Sequence, residues 1–182
     1  LQKQAKRQRW IRLQIRRQVV KSKAAYFGVF TALALIFSYV ETLIPIQVGI
    51  PGVKLGLANL VVVVVLYKME IKEAYILAVV RVILSGFLFG NLFSIVYSLA
   101  GGLLSLTVMV TLKRTKAFSL LGISAMGGVF HNVGQLIMAA LVLESLSIGY
   151  YLPVLLVSGL VTGILIGIIS GEMLKRLNRI EM

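Results

Sequence analysis

Strongly polar side chains interrupt long apolar stretches of the sequence, and they are the residues with which this chain could do chemistry. They are Glu41, Lys54, Asn59, Arg81, Asn91, His131, Asn132 and Gln135. A polar group in lipid or in a protein core is costly unless it is paired or faces water. His131 and Gln135 are four residues apart and share one face of a helix. This set predicts a binding site for a polar or charged small molecule.

Several classes of reaction and cofactor are excluded by residue types that the sequence lacks. All six acidic residues are glutamates and cysteine is absent, so there are no paired aspartates for Mg²⁺ and no thiolate ligands. His131 is the single histidine, which is poor evidence for a metal site. No Walker-type phosphate loop and no catalytic triad occurs. We therefore predict no catalytic residues, no metal and no cofactor.

Each candidate residue also has a structural interpretation. Arg81 could neutralise Glu41 or Glu144 and hold helices in register. Lys54 could extend to the membrane interface. The polar groups from 131 to 135 could form hydrogen bonds between helices, although three of them within five residues exceed what helix association usually requires.

If these residues do bind a ligand, its chemistry follows from theirs. Lys54 and Arg81 are fixed cations, and they favour a ligand with an anionic or strongly accepting group, such as a phosphate or a carboxylate. The aromatic side chains of Phe87, Phe93 and Tyr97 could cover an apolar body attached to that group. The expected ligand is therefore an anionic or amphiphilic small molecule.

The elements that position these residues are membrane helices. Of 182 residues, 59% are hydrophobic and only 14% are charged, which is far more apolar than a soluble domain. Apolar stretches of span length alternate with short polar or Pro/Gly breaks. The predicted spans are approximately 24–44, 54–67, 74–89, 92–112, 118–143 and 152–174. We predict an all-α integral membrane protein, a bundle of six transmembrane helices.

Charge distribution sets the predicted orientation and the division of the chain. Residues 1–23 carry nine of the nineteen basic residues and no acid, and they predict a basic amphipathic helix at the cytoplasmic surface rather than a nucleic-acid-binding segment. The loops at 68–73 and 113–116 and the C-terminus are also basic. Both termini are therefore expected to be cytoplasmic, in the plasma membrane. The predicted parts are 1–23, the membrane domain 24–176 and a tail, 177–182.

Small residues at four-residue spacing predict close helix packing. The last predicted span carries Gly159, Gly163, Gly167 and Gly171, and the first carries Ala24, Gly28 and Ala32. Packing within the bundle explains either set. The first span begins at the basic edge, so its small residues are also the better candidates for docking a partner membrane protein.

Four runs resemble a known family, the Gx transporter family, also labelled heptaprenyl diphosphate synthase component I. They are PGVKLGLANLVVV (51–63), RVILSGFLFGN (81–91), SLAGGLLSL (98–106) and GGVFHNVGQL (127–136). The resemblance covers nearly all of residues 24–175. The family is in turn similar to the substrate-capture S components of energy-coupling factor transporters.

This resemblance implies a six-helix protein that binds a vitamin-like molecule near the outer face, under a lid formed by the loop after the first helix. Its implied partners are a transmembrane coupling subunit and two ATPases. The synthase label implies prenyl diphosphate chemistry, which needs acidic clusters that this chain lacks. Capture and transport is the favoured function. A non-catalytic membrane partner of a prenyl synthase is the alternative, and a structural membrane adaptor is a third.

Overall fold

A computed structural model describes residues 2–43 and 56–180 of the chain, with the backbone alone for 2–22, 146 and 180. These ranges contain six α-helices and one short 3-10 helix that precedes the last of them. They are α1 (Gln2–Leu43), α2 (Leu57–Lys68), α3 (Ile71–Phe89), α4 (Leu92–Thr115), α5 (Leu120–Val142), the 3-10 helix (Leu146–Tyr151) and α6 (Leu152–Ile180). Within the described ranges there is no strand, which confirms the prediction of an all-helical protein.

Local capping explains where the helices begin. The basic N-terminal segment and the first apolar stretch form one continuous helix, α1. Helix α3 begins at Ile71, three residues before the predicted start, because Glu70 and Glu73 form a capping box in which the Glu73 Oε2 accepts from the Glu70 N–H at 2.8 Å. Asn91 caps α4 by accepting from the Ser94 N–H at 2.8 Å.

Four segments are long and apolar enough to cross a membrane by length and composition, and their outward side chains are apolar. They are Lys23–Leu43, Leu92–Thr115, Leu120–Val142 and Ser147–Arg179. Val29, Val157 and Ile168 are each more than half exposed, as expected of side chains that face lipid. The chain is therefore a membrane-embedded protein built around these helices.

Helix α2 is short and lies inside the bundle. Its 12 residues span about 18 Å, less than the hydrocarbon core of about 30 Å. Every residue from Leu60 to Leu66 is buried, and α2 packs against α1, α3 and α6. A helix that is apolar on all sides is typical of a fully surrounded position. The valine run at 61–65 is therefore the centre of the hydrophobic core.

The end of α2 near the basic loops is held by charged side chains. The Lys113 ammonium group donates to the Leu66 carbonyl at 2.5 Å and lies 4.5 Å from the centre of the Tyr67 ring. It thereby satisfies a carbonyl of the last turn and complements the helix dipole. Nearby, Lys23 and Glu70 form an ion pair at 2.6 Å, and this hydrogen bond, with the lysine charge, lowers the pKa of Glu70.

Helix α5 packs closely against α4 on one side and α6 on the other. A Cβ atom added at Gly134 would lie 2.8 Å from the Ala100 carbonyl oxygen of α4, and one added at Gly163 would lie 2.6 Å from the Ser124 carbonyl oxygen of α5. The Ser124 hydroxyl donates across the same interface to the Gly163 carbonyl at 2.7 Å. Glycine at these positions is required by the close approach of the two backbones.

The glycines of the α6 ridge differ in how closely they contact α5. Gly159, Gly163 and Gly167 have α5 atoms within 3.2 Å of an added Cβ, whereas at Gly171 the nearest atom is a leucine methyl at 3.8 Å. The ridge therefore packs within this bundle, and it is tightest at its first three members.

We expect Gly163→Ala to destabilise the protein by about 1–3 kcal/mol, because the added methyl overlaps backbone atoms that cannot move independently. Gly171→Ala is the matched control on the same ridge and should leave stability unchanged or slightly higher. Thermal unfolding of both variants in the same detergent measures the difference. Equal stability of the two variants would contradict the importance of this contact.

Candidate functional site

A polar cavity lies at the end of the bundle where α2 begins. It has a volume of about 160 Å³, and all six α-helices contribute to its walls. Six of the predicted binding residues line it together, although they come from four different helices. They are Glu41 of α1, Asn59 of α2, Arg81 of α3 and His131, Asn132 and Gln135 of α5.

Arg81 is the buried cation of this cavity. Its side chain is 8% exposed, and one terminal guanidinium nitrogen donates to the Asn59 Oδ1 at 2.9 Å. The Nε–H is buried and has no hydrogen-bond partner among the residues that the structure describes. A buried donor without a partner costs about 1–3 kcal/mol, more when it is charged. Arg81 is therefore positioned to donate to a group that enters the cavity.

Glu41 stabilises the first turn of α2. Its Oε1 accepts from the backbone N–H groups of Gly56 and Leu57, the latter at 3.1 Å. Gly56 has a φ of 72° and lies against Ile166, so a side chain there would be strained and crowded. Because an acid at a helix N-terminus complements the helix dipole, this carboxylate holds the end of α1 to the start of α2.

The sequence also allows Arg81 a purely structural role, in which it neutralises a glutamate. Among the described residues, no ion pair joins Arg81 to Glu41 or to Glu144. The described hydrogen bond of its guanidinium is to a neutral amide, that of Asn59. Direct neutralisation of Arg81 by either glutamate is therefore not seen among the described residues.

The three polar residues of α5 have different environments. Asn132 is 9% exposed and its Nδ2 donates to the Leu155 carbonyl at 2.7 Å and to the Ser158 hydroxyl at 3.1 Å, both on α6. Its amide donors therefore connect two helices. His131 lines the cavity and lies beside Gly101 of α4, as does Gln135. The Gln135 side chain forms no hydrogen bond with the described residues and borders the open space.

Of the other two predicted binding residues, one lies outside the polar cavity and the position of the other is not described. Asn91 caps α4 at the rim and does not line the polar cavity. Lys54 lies outside the described residues. The expected aromatic wall is only partly present, because Phe87 is 72% exposed and Phe93 60% exposed, on the outer surface, whereas Tyr97 lines a neighbouring cavity.

That neighbouring cavity is larger and mainly apolar. It has a volume of about 570 Å³ and lies between α4, α5, the 3-10 helix and the start of α6. Leu136, Ala139, Leu143, Ile148 and Leu155 form its apolar walls. Ser94, Ser98 and Gln135 border both cavities.

Sequence reasoning missed the hydroxyl residues that line the polar cavity. They are Ser38, Thr42, Ser85, Ser94, Ser98 and Thr162. Serine and threonine in a membrane helix commonly donate to their own helix backbone, as Ser38 does to the Ala34 carbonyl at 2.9 Å, so their presence alone indicates little. Spacing was the available signal, because Ser85 is four residues after Arg81 and shares its face.

We expect Asn132→Leu to destabilise the protein by about 0.6–2 kcal/mol, because it removes the hydrogen bonds to α6. Gln135→Met is the matched control, an unbranched replacement on the same helix that removes no hydrogen bond, and it should shift stability by less than about 0.5 kcal/mol. Thermal unfolding in detergent measures both. A larger loss for Gln135→Met would show that Gln135 has the structural role instead.

Comparison with known proteins identifies the family. A family model described as heptaprenyl diphosphate synthase component I matches residues 30–173, which is well over half of the chain. Searches of curated proteins and of solved structures gave no match. The matched range includes the Arg81–Asn59 pair and the run from His131 to Gln135. The chain therefore belongs to the heptaprenyl diphosphate synthase component I family, also called the Gx transporter family.

Proposed function

We propose that this protein is the membrane-embedded substrate-binding component of an importer of the energy-coupling factor type. The observation that carries the proposal is the buried Arg81, which lines a polar cavity formed by all six helices and whose Nε–H has no partner in the described part of the chain. Such a donor is expensive to keep in a structural role and is useful for binding an acceptor. The substrate is a small vitamin-like, anionic or amphiphilic molecule taken from the outer face.

The proposal includes partners because the sequence offers no energy source of its own. It has no nucleotide-binding loop and no series of membrane carboxylates for proton coupling. We therefore propose a transmembrane coupling subunit with cytoplasmic ATPases. The alternative, a non-catalytic membrane component associated with polyprenyl diphosphate synthesis, is favoured by the family description. Co-purification separates the two, since a soluble prenyl synthase would support only the alternative.

The proposed topology has six membrane crossings with both termini in the cytoplasm of a plasma-membrane protein. Among the described residues, the basic side chains near the helix ends, including Lys68, Lys113 and Lys175, lie at the end of the bundle opposite the polar cavity. By the positive-inside rule, the proposed orientation has this end in the cytoplasm and the cavity in the outer half of the membrane. Residues 2–22, which continue α1 beyond its candidate span, would then be on the cytoplasmic side.

Labelling of single cysteines tests this topology without background, because the natural sequence has no cysteine. We expect Ser147→Cys to react with a membrane-impermeant thiol reagent in intact cells. Ala117→Cys should react only after the membrane is opened. Both residues are exposed, so accessibility within the protein does not limit either reaction. The reverse pattern would contradict the proposed orientation.

The proposed docking surface for the coupling subunit is the small-residue face of α1. Ala24, Gly28 and Ala32 are all exposed, and a Cβ added at Gly28 would meet no atom within 4 Å. Small residues allow a partner helix to approach closely. A larger side chain at Gly28 would therefore interfere with a partner while leaving this bundle intact.

We expect Gly28→Leu to abolish cellular uptake of whichever small molecule co-purifies with the unaltered protein, while thermal stability in detergent and retention of that molecule stay unchanged. Val29→Leu, at the next and equally exposed position, is the matched control and should keep full uptake. Uptake and co-purification of the coupling subunit are measured together. Full uptake by the purified chain alone in liposomes would contradict the need for a partner.

A further inference from the structure

The polar and the apolar cavity are adjacent compartments with a common wall. Ser94 and Ser98 of α4 and Gln135 of α5 line both. These are small or flexible polar side chains, and the Gln135 amide has no hydrogen-bond partner among the described residues that would fix it. The Ser94 hydroxyl is held by hydrogen bonds with the Asn91 backbone. Gln135, and not Ser94, is therefore the boundary side chain that can turn toward a bound molecule.

The two compartments differ in chemistry. The polar one contains the Arg81 guanidinium with its unpartnered Nε–H, together with the Asn59 amide. The apolar one is lined mainly by aliphatic side chains from α5, the 3-10 helix and α6, including Leu136, Ile148 and Leu155. Water does not stabilise an apolar cavity of this size. A molecule that fills both compartments must therefore have a head that accepts hydrogen bonds and an apolar body.

We propose that the two cavities form one binding site for a single-chain amphiphile with an anionic oxyacid head. The head lies at Arg81, the apolar body occupies the cavity walled by Leu136 and Leu155, and the molecule passes Gln135 at the boundary. This inference rests on the proposed binding function and names the class of its substrate.

The size of the two cavities favours a ligand with a single apolar chain. A volume of about 570 Å³ lies within the range of sites for drug-sized ligands, roughly 300–1,000 Å³. The polar compartment, at about 160 Å³, admits a compact head such as a phosphate or carboxylate. A diacyl membrane lipid, with two chains that each reach across about half of a 30 Å core, is too large for these walls.

Photolabelling of the full chain in phosphatidylcholine nanodiscs tests the proposal. The probe is octyl phosphate with a diazirine near the end of its chain, and labelled residues are located by mass spectrometry. We expect labelling in α5, the 3-10 helix and the start of α6, at residues that line the apolar cavity. Unlabelled octyl phosphate should compete at least tenfold better than octanol or inorganic phosphate, because each of these offers only half of the ligand.

Two variants, one of them with a matched control, locate the head and the body separately. Arg81→Lys should weaken competition by octyl phosphate about tenfold, since lysine cannot reproduce the planar donor set. Ala139→Phe should fill the apolar cavity and reduce labelling about tenfold, whereas Leu141→Phe, two residues away and facing outward, should not. If Ala139→Phe fails to fold, the map of labelled residues in the natural chain decides.

The proposal is overturned if labelling falls on outward residues such as Leu141, if inorganic phosphate competes as well as octyl phosphate, or if dioleoyl phosphatidic acid in the nanodisc competes equally. If Gly28→Leu still abolishes uptake, these outcomes contradict the amphiphile site but not the proposed transport function. Conversely, normal uptake by Gly28→Leu together with specific labelling contradicts the coupling mechanism and supports the amphiphile site.

Discussion

A short helix buried inside a membrane bundle creates a requirement that the rest of this structure meets. The first N–H groups and last carbonyls of α2 have no partners within the helix, and lipid offers none. Glu41 accepts from the N-terminal end and Lys113 donates to the C-terminal end. These charges have the signs that the helix dipole favours. Pairing these backbone groups therefore positions the end of α1 beside the first turn of α2 and α4 beside its last turn.

The position of the cavity follows from this arrangement. Because α2 is shorter than a full crossing, its first turn starts beside Glu41 near the end of α1 and lies next to Arg81, in the interior of α3. Asn59 of that turn then reaches Arg81 of α3, and the guanidinium points into a space with polar walls. The same carboxylate that stabilises the start of α2 also lines the cavity that contains Arg81. Fold stability and the proposed ligand chemistry thus involve the same few groups.

Close glycine packing decides which polar residues of α5 remain available. Contacts at Gly134 with α4 and at Gly128 with α6 fix the rotation of α5 between its neighbours. That rotation turns Asn132 into the α5–α6 interface, where its amide bonds to Leu155. It turns Gln135 toward the two cavities. Two polar side chains three residues apart therefore have different roles, one within the fold and one at the site.

The sequence by itself determined the class of the protein, the approximate helix boundaries and most of the candidate site, because apolar length and the cost of a polar group in lipid are local properties. Arg81, His131 and Gln135 stood out for this reason. Tertiary structure decided what each polar group contacts: Asn59 as the partner of Arg81, Asn91 as a helix cap, and outward positions for Phe87 and Phe93. Helix rotation and depth depend on packing between segments far apart in sequence, and no local pattern encodes them.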